Sequence, residues 1–399
     1  MKRYIEKISS GDPESVDMKS SQLDLAWKYV EQKVESGLIP LGYVMVVRKG
    51  KIVLDKHLVN RKAADQGVKI QPNSLFRIAS VTKPLTAVLA MKMVEMGNFS
   101  LETPVAEYIP AFGQNGKNSV TPRHLLTHTS GLSDYLVAEN GRDKPTCIDE
   151  VLNRVYEQPL MFKPGTNFTY STLAFEVIVE LAQKTSGISW EQLSKDLLFG
   201  PLGMKNSYFN TPKAPTNQAI PLFNRELEAD HSPNDSGLEL HYHFKFDMGG
   251  GNGLSNPLDI ATFCQMMLNQ GSYNNLQILS PVTVSRMIEP QFQWWEGSNQ
   301  LNLQEKPDYV SQGLGWMIRN KSHYRGSDLM SPKAFFHGGA YGMRAIVDPE
   351  YDLITIFLTS SFHDASYGNN RNRTNYPWLT HHHQMQQTFG NMAYSAIMK

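Results

Sequence analysis

The sequence predicts a mixed α/β (α+β) fold in which strands from both ends of the chain form one sheet flanked by helices. A large, mostly helical segment is inserted between the two groups of strands. Three observations predict this arrangement. Runs of β-branched residues occur before residue 60, helical periodicity dominates between residues 100 and 290, and strand patterns return after residue 310.

The elements before residue 100 are a helix, a hairpin and a second helix. The segment SQLDLAWKYVEQKVESG, from Ser21, carries apolar residues at helical spacing and ends at Gly37. The runs YVMVVR and IVLDKHLV are joined by a tight turn around Gly50, which predicts a hairpin. The apolar run AVLAMKMVEMG continues a helix that begins near Ser80.

The middle of the chain is predicted to be helices and loops. The segments 171–187, 190–200 and 258–271 are amphipathic and end at or near glycine. Residues 211–251 are irregular and rich in Pro, Asn, His and aromatic residues. A connection of that length usually has a function, so we expect it to shape the binding pocket together with segment 290–312.

After residue 310 the runs GLGWMIRN, AFFHGG, MRAIVDP and LITIFLTSS predict strands, and the segment from Trp378 predicts a closing helix. We predict one domain over residues 20–399, preceded by a polar extension, 1–19. Its sheet subdomain comprises residues 20–80 and 290–399, and its helical subdomain residues 81–289. The cleft between them is the expected site of chemistry.

Composition excludes several classes of partner. Lys plus Arg total 38 and Asp plus Glu total 38, so neither nucleic acid nor an anionic membrane is expected as the main partner. No membrane-spanning run and no signal peptide is present in this numbering, which predicts a cytoplasmic protein, or a periplasmic or secreted one if a leader was removed. Cys147 and Cys264 are expected to be buried thiols, with one bridge as the alternative. The oligomeric state stays open.

The stretch RIASVTKPL places Ser80 three residues before Lys83, at the start of an apolar helix. Residues three apart share a helix face, and the positive end of a helix favours an oxyanion. The pair therefore suggests a serine nucleophile with an activating amine. The alternative is a capping serine followed by a solvated lysine.

Two further stretches carry candidate residues. Tyr170, in NFTYSTLAFEV, can take a proton from a serine if a nearby ammonium lowers its pKa; the alternative is a half-buried tyrosine before a helix. In FFHGGAYG, Gly338 and Gly339 allow close approach to a ligand, and the Ala340 amide can face it. His337 can bind a polar or anionic substrate group, the alternative being a satisfied histidine at a strand-edge bulge.

Together these stretches resemble the class C β-lactamase-like superfamily of penicillin-recognising serine hydrolases, which includes D-alanyl-D-alanine carboxypeptidases and family VIII esterases. The phrases HLLTHTSGL, FKPGTNFTYST, GPLGMKNSYF and GGGNGLSNPLDIATFCQMML match family phrases in the same order. The resemblance covers residues 25–360. It implies a β-lactamase-like antiparallel sheet built from both ends of the chain.

The resemblance also implies residue roles. Ser80 would be the acylated nucleophile, with Lys83 and Tyr170 as the proton-transfer pair. The amides of Ser80 and Ala340 would form the oxyanion hole. Substrate-binding positions would be Thr172, His337, Gly338 and Gly339.

Two residues depart from the family pattern. Thr172 stands where β-lactamases carry asparagine, and His337 stands where many members carry a lysine that binds a substrate carboxylate. Both changes favour an esterase, or an amidase of other specificity, over an efficient β-lactamase or peptidase.

We therefore predict a serine hydrolase that acts through an acyl-enzyme, with a small ester, amide or β-lactam as substrate. An esterase is preferred, and a β-lactamase or D-amino-acid peptidase is the alternative. An acylated penicillin-sensor protein or a pseudoenzyme is the alternative from another class. No metal and no organic cofactor are implied. His124 and His128 are read as scaffold, and consecutive His381, His382 and His383 do not share a helix face.

Overall fold

The structure is a computed structural model that describes residues 4–134, 145–209, 213–223, 229–230, 248–291, 311–319, 326–361 and 377–398. Its eight-stranded sheet consists of β1 (Ser9–Ser10), β2 (Leu41–Arg48), β3 (Lys51–Val59), β4 (Ser311–Gln312), β5 (Met317–Ile318), β6 (Phe335–Gly339), β7 (Met343–Asp348) and β8 (Leu353–Leu358).

The order of strands in the sheet is β1-β3-β2-β8-β7-β6-β5-β4. All neighbours are antiparallel except β1 and β3. At the centre, β2 pairs with β8 from Arg48 opposite Leu353 to Tyr43 opposite Leu358. The two ends of the chain therefore build one sheet, which confirms the predicted fold class.

Helices cover both faces of the sheet. The helices are α1 (Ser20–Glu35), α2 (Arg61–Asp65), α3 (Thr82–Glu95), α4 (Val105–Tyr108), α5 (Pro122–Leu126), α6 (Ile148–Glu157), α7 (Leu173–Ser186), α8 (Trp190–Ser194), α9 (Gly200–Leu202), α10 (Pro257–Leu268), α11 (Pro281–Ile288) and α12 (Pro377–Ser395). All six residues of β7 and all six of β8 are buried. This explains why MRAIVD and LITIFL are almost uninterrupted in apolar residues rather than alternating.

One face of the sheet packs on α1 and α12, which contact each other. The Lys19 amide donates to the Ala396 carbonyl at 2.8 Å, and the Met398 amide donates to the Asp17 carbonyl at 2.9 Å. Residues 4–18, predicted as a polar extension, lie against the body of the molecule. In this segment β1 pairs with β3, and the side chains of Ile8, Val16 and Met18 are buried.

The other face packs on the helices of the middle segment. Helix α3 is central to this layer, because eleven of its fourteen residues are buried. Pro84 lies in its first turn, where a missing amide hydrogen costs little. Helix α7 is buried along its first half and contacts α3.

Two predicted elements differ in detail. Residues 190–200, predicted as one helix, form α8, a π-helical turn at Lys195–Phe199 and the start of α9. Pro201 has no amide hydrogen for the carbonyl four residues earlier, which favours the wider turn. The run GLGWMIRN is a strand only at Met317–Ile318. Before it, Gly315 adopts a φ of 76°, and a side chain there would contact Ala87 of α3.

The two cysteines do not form a bridge. Cys264 is buried, as predicted, whereas Cys147 is exposed and the prediction for it was wrong. Cys147 precedes the amphipathic helix α6, whose first turn is polar, so the thiol lies outside the core. Among the described helices, none combines the length and the apolar character needed to cross a bilayer.

Candidate active site

Ser80 and Lys83 lie where a 3-10 turn, Ala79–Val81, leads into α3. Ala79 adopts a φ of 44°, in the left-handed region, so the chain turns sharply just before the serine. Ser80 is partly exposed, whereas Lys83 is fully buried. The Lys83 Nζ lies 3.1 Å from the Ser80 Oγ. The predicted pair is therefore in hydrogen-bond contact.

The Lys83 amine has two further polar neighbours. Its Nζ lies 2.6 Å from the Gly250 carbonyl oxygen and 3.1 Å from the Thr172 Oγ1. Burial lowers the pKa of Lys83 to about 7, although the nearby carboxylates of Asp134 and Glu176 oppose that shift. An amine with this pKa is substantially neutral at neutral pH, so it can accept a proton from a hydroxyl.

Each of those two neighbours is held by a carboxylate. Asp134 accepts hydrogen bonds from the Thr172 amide and, at 3.4 Å, from the Thr172 hydroxyl. Glu176 accepts from the amides of Gly249 and Gly250 at 2.9 Å each. Burial raises the pKa of Glu176 to about 7, against the opposing effect of these two amides and of Lys83.

Thr172 and Gly250 meet closely at the start of α7. Thr172 is fully buried, and its described contacts include Lys83 and Asp134. A Cβ atom on Gly250 would lie 2.5 Å from the Thr172 carbonyl oxygen, so this approach requires glycine. The predicted contact of Thr172 with substrate stays a prediction.

The ring of Tyr170 lies beside the Lys83 amine. The Lys83 Nζ is 4.7 Å from the centroid of the Tyr170 ring, within cation–π range when the amine is protonated. The ring stacks on His128 with centroids 4.3 Å apart. The structure thus brings Ser80 and Lys83, predicted from one stretch of sequence, together with Tyr170, predicted from another.

His128 packs against the ring of Tyr170. It is fully buried, and its Nδ1 accepts from the Ser171 amide at 3.1 Å. Burial and the charge of Lys83 hold the pKa of His128 well below its usual range, so the ring is neutral. Its Nε2 has no hydrogen-bond partner among the described residues.

The end of strand β6 completes the site. A Cβ atom on Gly339 would lie 2.6 Å from the Ile78 carbonyl oxygen and 3.2 Å from the Ala79 Cβ. The strand end therefore lies directly beside the turn that carries Ser80. Ala340 follows and is exposed, while Gly338 is partly exposed with ordinary space around it. The two segments that carry the Ser80 and Ala340 amides are therefore neighbours, and the oxyanion role of these amides stays a prediction.

His337, one residue before this glycine pair, is buried rather than exposed to the cleft. Its exposed fraction is 1%, and its Nδ1 lies 2.8 Å from the Gly338 carbonyl oxygen. Burial, together with the positive charges of Lys83 and Arg344, lowers the pKa of His337 to about 3. The imidazole is therefore neutral and offers a substrate no positive charge at neutral pH.

A shallow recess adjoins these segments. Its lining residues are Arg77, Gly251, Asn252, Gly253 and Tyr341. Gly251 follows Gly250 in the sequence, Tyr341 follows Ala340, and Arg77 lies three residues before Ser80. The recess is therefore next to the site. No group of three His, Cys, Asp or Glu side chains suited to a metal ion occurs in the described ranges.

Sequence reasoning did not identify Glu176, Asp134 or Gly250. Glu176 had a usable pattern, because it is an acidic residue within the apolar run LAFEVIVELA, and buried acids often mark functional sites. No sequence pattern pointed to Asp134, because it lies just after the phrase HLLTHTSGL, whose histidines we interpreted as structural. The predicted pocket segments 211–251 and 290–312 lie largely outside the described residues.

The comparisons with known proteins agree with this geometry. A family model described as Beta-lactamase matches residues 28–375. The chain belongs to the beta-lactamase family. This confirms the predicted family, and the chain is accordingly a serine hydrolase.

Three relatives show the range of this family. A putative D-alanyl-D-alanine carboxypeptidase of Escherichia coli (strain K12) is 24% identical over 394 residues, covering 89% of this chain and 86% of the relative. Esterase EstB of Burkholderia gladioli is 30% identical over 204 residues, covering 47% of this chain and 52% of the esterase. The crystal structure of a family VIII carboxylesterase superposes with a TM-score of 0.69 at 18% identity, covering 92% of this chain and 97% of that one.

Proposed function

We propose that this chain is an esterase in which Ser80 forms an acyl-enzyme. The observation that carries the proposal is the 3.1 Å contact between the Ser80 hydroxyl and the buried Lys83 amine. A serine hydroxyl is a weak nucleophile until a base removes its proton. A neutral amine, favoured by burial, is such a base.

The reaction would proceed in two halves. Ser80 Oγ attacks the ester carbonyl carbon while its proton passes to the Lys83–Tyr170 pair. The negative charge that develops on the carbonyl oxygen is held by the amides of Ser80 and Ala340. The C–O bond to the alcohol breaks, and the proton from the pair joins the leaving oxygen. A water molecule then repeats the sequence on the acyl-enzyme and releases the acid.

The state of His337 favours neutral esters as substrates. Many family members carry a lysine at that position, whereas His337 is buried and neutral here. A substrate carboxylate would find no ammonium there. The similarity to an esterase, EstB, supports an ester as the substrate.

The test uses purified protein beside Ser80→Ala, with a short-chain p-nitrophenyl ester and a chromogenic cephalosporin as substrates. Burst and steady-state rates are read separately. We expect ester turnover in the wild type, little cleavage of the cephalosporin, and no turnover in the variant. Circular dichroism should show the same fold for both proteins.

Other outcomes identify the alternatives. Rapid cephalosporin turnover would make the chain a β-lactamase. A stoichiometric burst without turnover would indicate a penicillin-sensor protein. Ester turnover that persists in Ser80→Ala would overturn the named nucleophile. No burst with either substrate would leave a peptidase or a pseudoenzyme.

A D-amino-acid carboxypeptidase is the second candidate, and the recess favours it. Arg77 lines the recess and supplies a guanidinium, which suits a terminal carboxylate. The test compares a dipeptide ending in D-alanine with its C-terminal amide. Preference for the free acid that disappears in Arg77→Gln would support the peptidase; equal rates would exclude it.

A further inference from the structure

The Lys83 amine is bounded by three oxygen atoms, and their chemistry determines which way it points. The Gly250 carbonyl oxygen, 2.6 Å away, can only accept a hydrogen bond. It therefore takes one N–H of the amine. The other two neighbours, the hydroxyls of Thr172 and Ser80, can each donate or accept.

Asp134 removes that ambiguity for Thr172. Its carboxylate accepts from the Thr172 amide through Oδ1, and its Oδ2 lies 3.4 Å from the Thr172 Oγ1. A carboxylate has no hydrogen to give, so the Thr172 hydroxyl hydrogen points towards Asp134. The Thr172 Oγ1 then accepts the second N–H of Lys83.

A neutral amine has two N–H groups and one lone pair. With both N–H groups directed at Gly250 and Thr172, the lone pair faces the third neighbour, the Ser80 Oγ. We propose that Asp134, acting through Thr172, and Glu176, acting through Gly250, are positioning residues that aim the Lys83 lone pair at Ser80. This inference rests on the proposed role of Ser80, and its two positioning residues, Asp134 and Glu176, lie outside the family phrases quoted above.

Glu176 provides the second half of the arrangement. Its two carboxylate oxygens each accept one backbone amide, from Gly249 and Gly250, at 2.9 Å. This bidentate contact holds the two peptide groups that immediately precede the Gly250 carbonyl, and so it positions the carbonyl oxygen that binds Lys83. The Glu176 carboxylate is fully buried, so it has been withdrawn from water to make these two bonds.

The charged and titratable groups around the amine come from several elements. The charges of Asp134 and Glu176 act on the pKa of Lys83, and the charge of Lys83 acts on the pKa of His128 and of His337. The ring of Tyr170 faces the amine. Only Asp134 and Glu176 carry negative charge that favours the ammonium form. Their removal should therefore lower the pKa of Lys83.

The experiment reads Ser80 reactivity without relying on turnover. Diethyl p-nitrophenyl phosphate phosphorylates an activated serine, with p-nitrophenolate leaving, and intact mass confirms one diethylphosphoryl group per chain. The rate is measured between pH 5 and 9 in the wild type, Asp134→Asn, Thr172→Val, Thr172→Ser and the double variant Asp134→Asn/Thr172→Val.

We expect Thr172→Ser to recover most of the labelling rate that Thr172→Val loses, because it keeps the hydroxyl. Thr172→Val and Asp134→Asn should each react about 10- to 100-fold more slowly, since the amine loses its orientation. In Asp134→Asn the new amide N–H faces Thr172 and turns its hydroxyl hydrogen towards Lys83. The double variant should be no slower than the slower single variant, because both changes break the same series of hydrogen bonds, from Lys83 to Thr172 and from Thr172 to Asp134.

The pH profile separates orientation from general damage. In Asp134→Asn and Glu176→Gln, the acid limb of the labelling rate should move to lower pH. The matched control is Glu180→Gln, one turn further along α7, whose carboxylate accepts from Tyr156 and not from the site. That variant should keep the wild-type rate and limb.

Wild-type labelling rates in Thr172→Val and Asp134→Asn would overturn the inference. So would an acid limb that stays in place in Asp134→Asn and Glu176→Gln, or fully additive losses in the double variant. If Asp134→Asn does not fold by circular dichroism, the comparison of Thr172→Val with Thr172→Ser decides. Absence of labelling at Ser80 in the wild type would instead contradict the proposed function.

Discussion

At the scale of single residues, the site depends on an amine that is kept out of water. Lys83 is fully buried, and the ammonium form therefore loses its hydration. The negative charges of Asp134 and Glu176 restore part of that loss, and each carboxylate also holds a residue that contacts the amine. The result is an amine whose pKa is close to neutrality.

This environment predicts how activity depends on pH. The ester kcat/KM of the wild type should fall on the acid side of about pH 7, because protonated Lys83 cannot accept the Ser80 proton. The pKa of Glu176 is also raised to about 7, so the two groups titrate as a coupled pair. His337 has its pKa lowered to about 3 and stays neutral. A profile that is flat down to pH 5 would contradict this assignment.

The proton-transfer pair gives a second prediction. Lys83→Ala and Tyr170→Phe should each lower kcat by about 10²- to 10⁴-fold, the usual contribution of a positioned acid or base. The double variant should lose little more than the worse single variant, because the two residues act as a unit. Steady-state kinetics with a p-nitrophenyl ester measures all three. Losses that multiply would mean that the residues act independently.

At the scale of elements, the close approach of β6 to the Ser80 turn is the feature most easily disturbed. Gly339→Ala would place a Cβ 2.6 Å from the Ile78 carbonyl oxygen. Such overpacking costs about 1–3 kcal/mol of unfolding free energy and would displace the Ala340 amide, lowering kcat. Urea unfolding and ester kinetics measure the two effects.

Gly338→Ala is the matched control for stability. Its Cβ would have its nearest neighbour, the Arg344 guanidinium, at 3.5 Å, which is ordinary contact. We expect the free energy of unfolding to stay within about 0.5 kcal/mol of wild type. Equal destabilisation by both substitutions would show that strand β6 does not touch the Ser80 turn.

The helices and strands, and the contacts between them, explain why some features could be predicted from the sequence and others could not. Helix α7 follows from local periodicity, strands β7 and β8 from short apolar runs, and the Ser80–Lys83 pair from a local spacing of three. The contacts of Glu176 with Gly249 and Gly250 join residues 73 and 74 positions apart. Side-chain partners across such separations depend on how the helices pack, which periodicity alone does not encode.

At the scale of the whole molecule, the first residues belong to the packed structure. Deleting residues 1–18 would remove the buried side chains of Ile8, Val16 and Met18 and expose the edge of β3. We expect a loss of about 3–6 kcal/mol in unfolding free energy, measured by urea denaturation. Deleting only residues 1–7 keeps all three side chains and should cost much less. Equal stability of the longer deletion and the wild type would contradict this.

The pairing of β2 with β8 also has a consequence during synthesis. Strand β2 ends at Arg48, and its partner begins at Leu353, about 300 residues later. At about 5–20 residues per second, the ribosome needs about 15–60 s to add them. Throughout that interval the β2–β3 hairpin lacks its neighbour, so the nascent chain presents an unpaired strand edge to other proteins until β8 is synthesised.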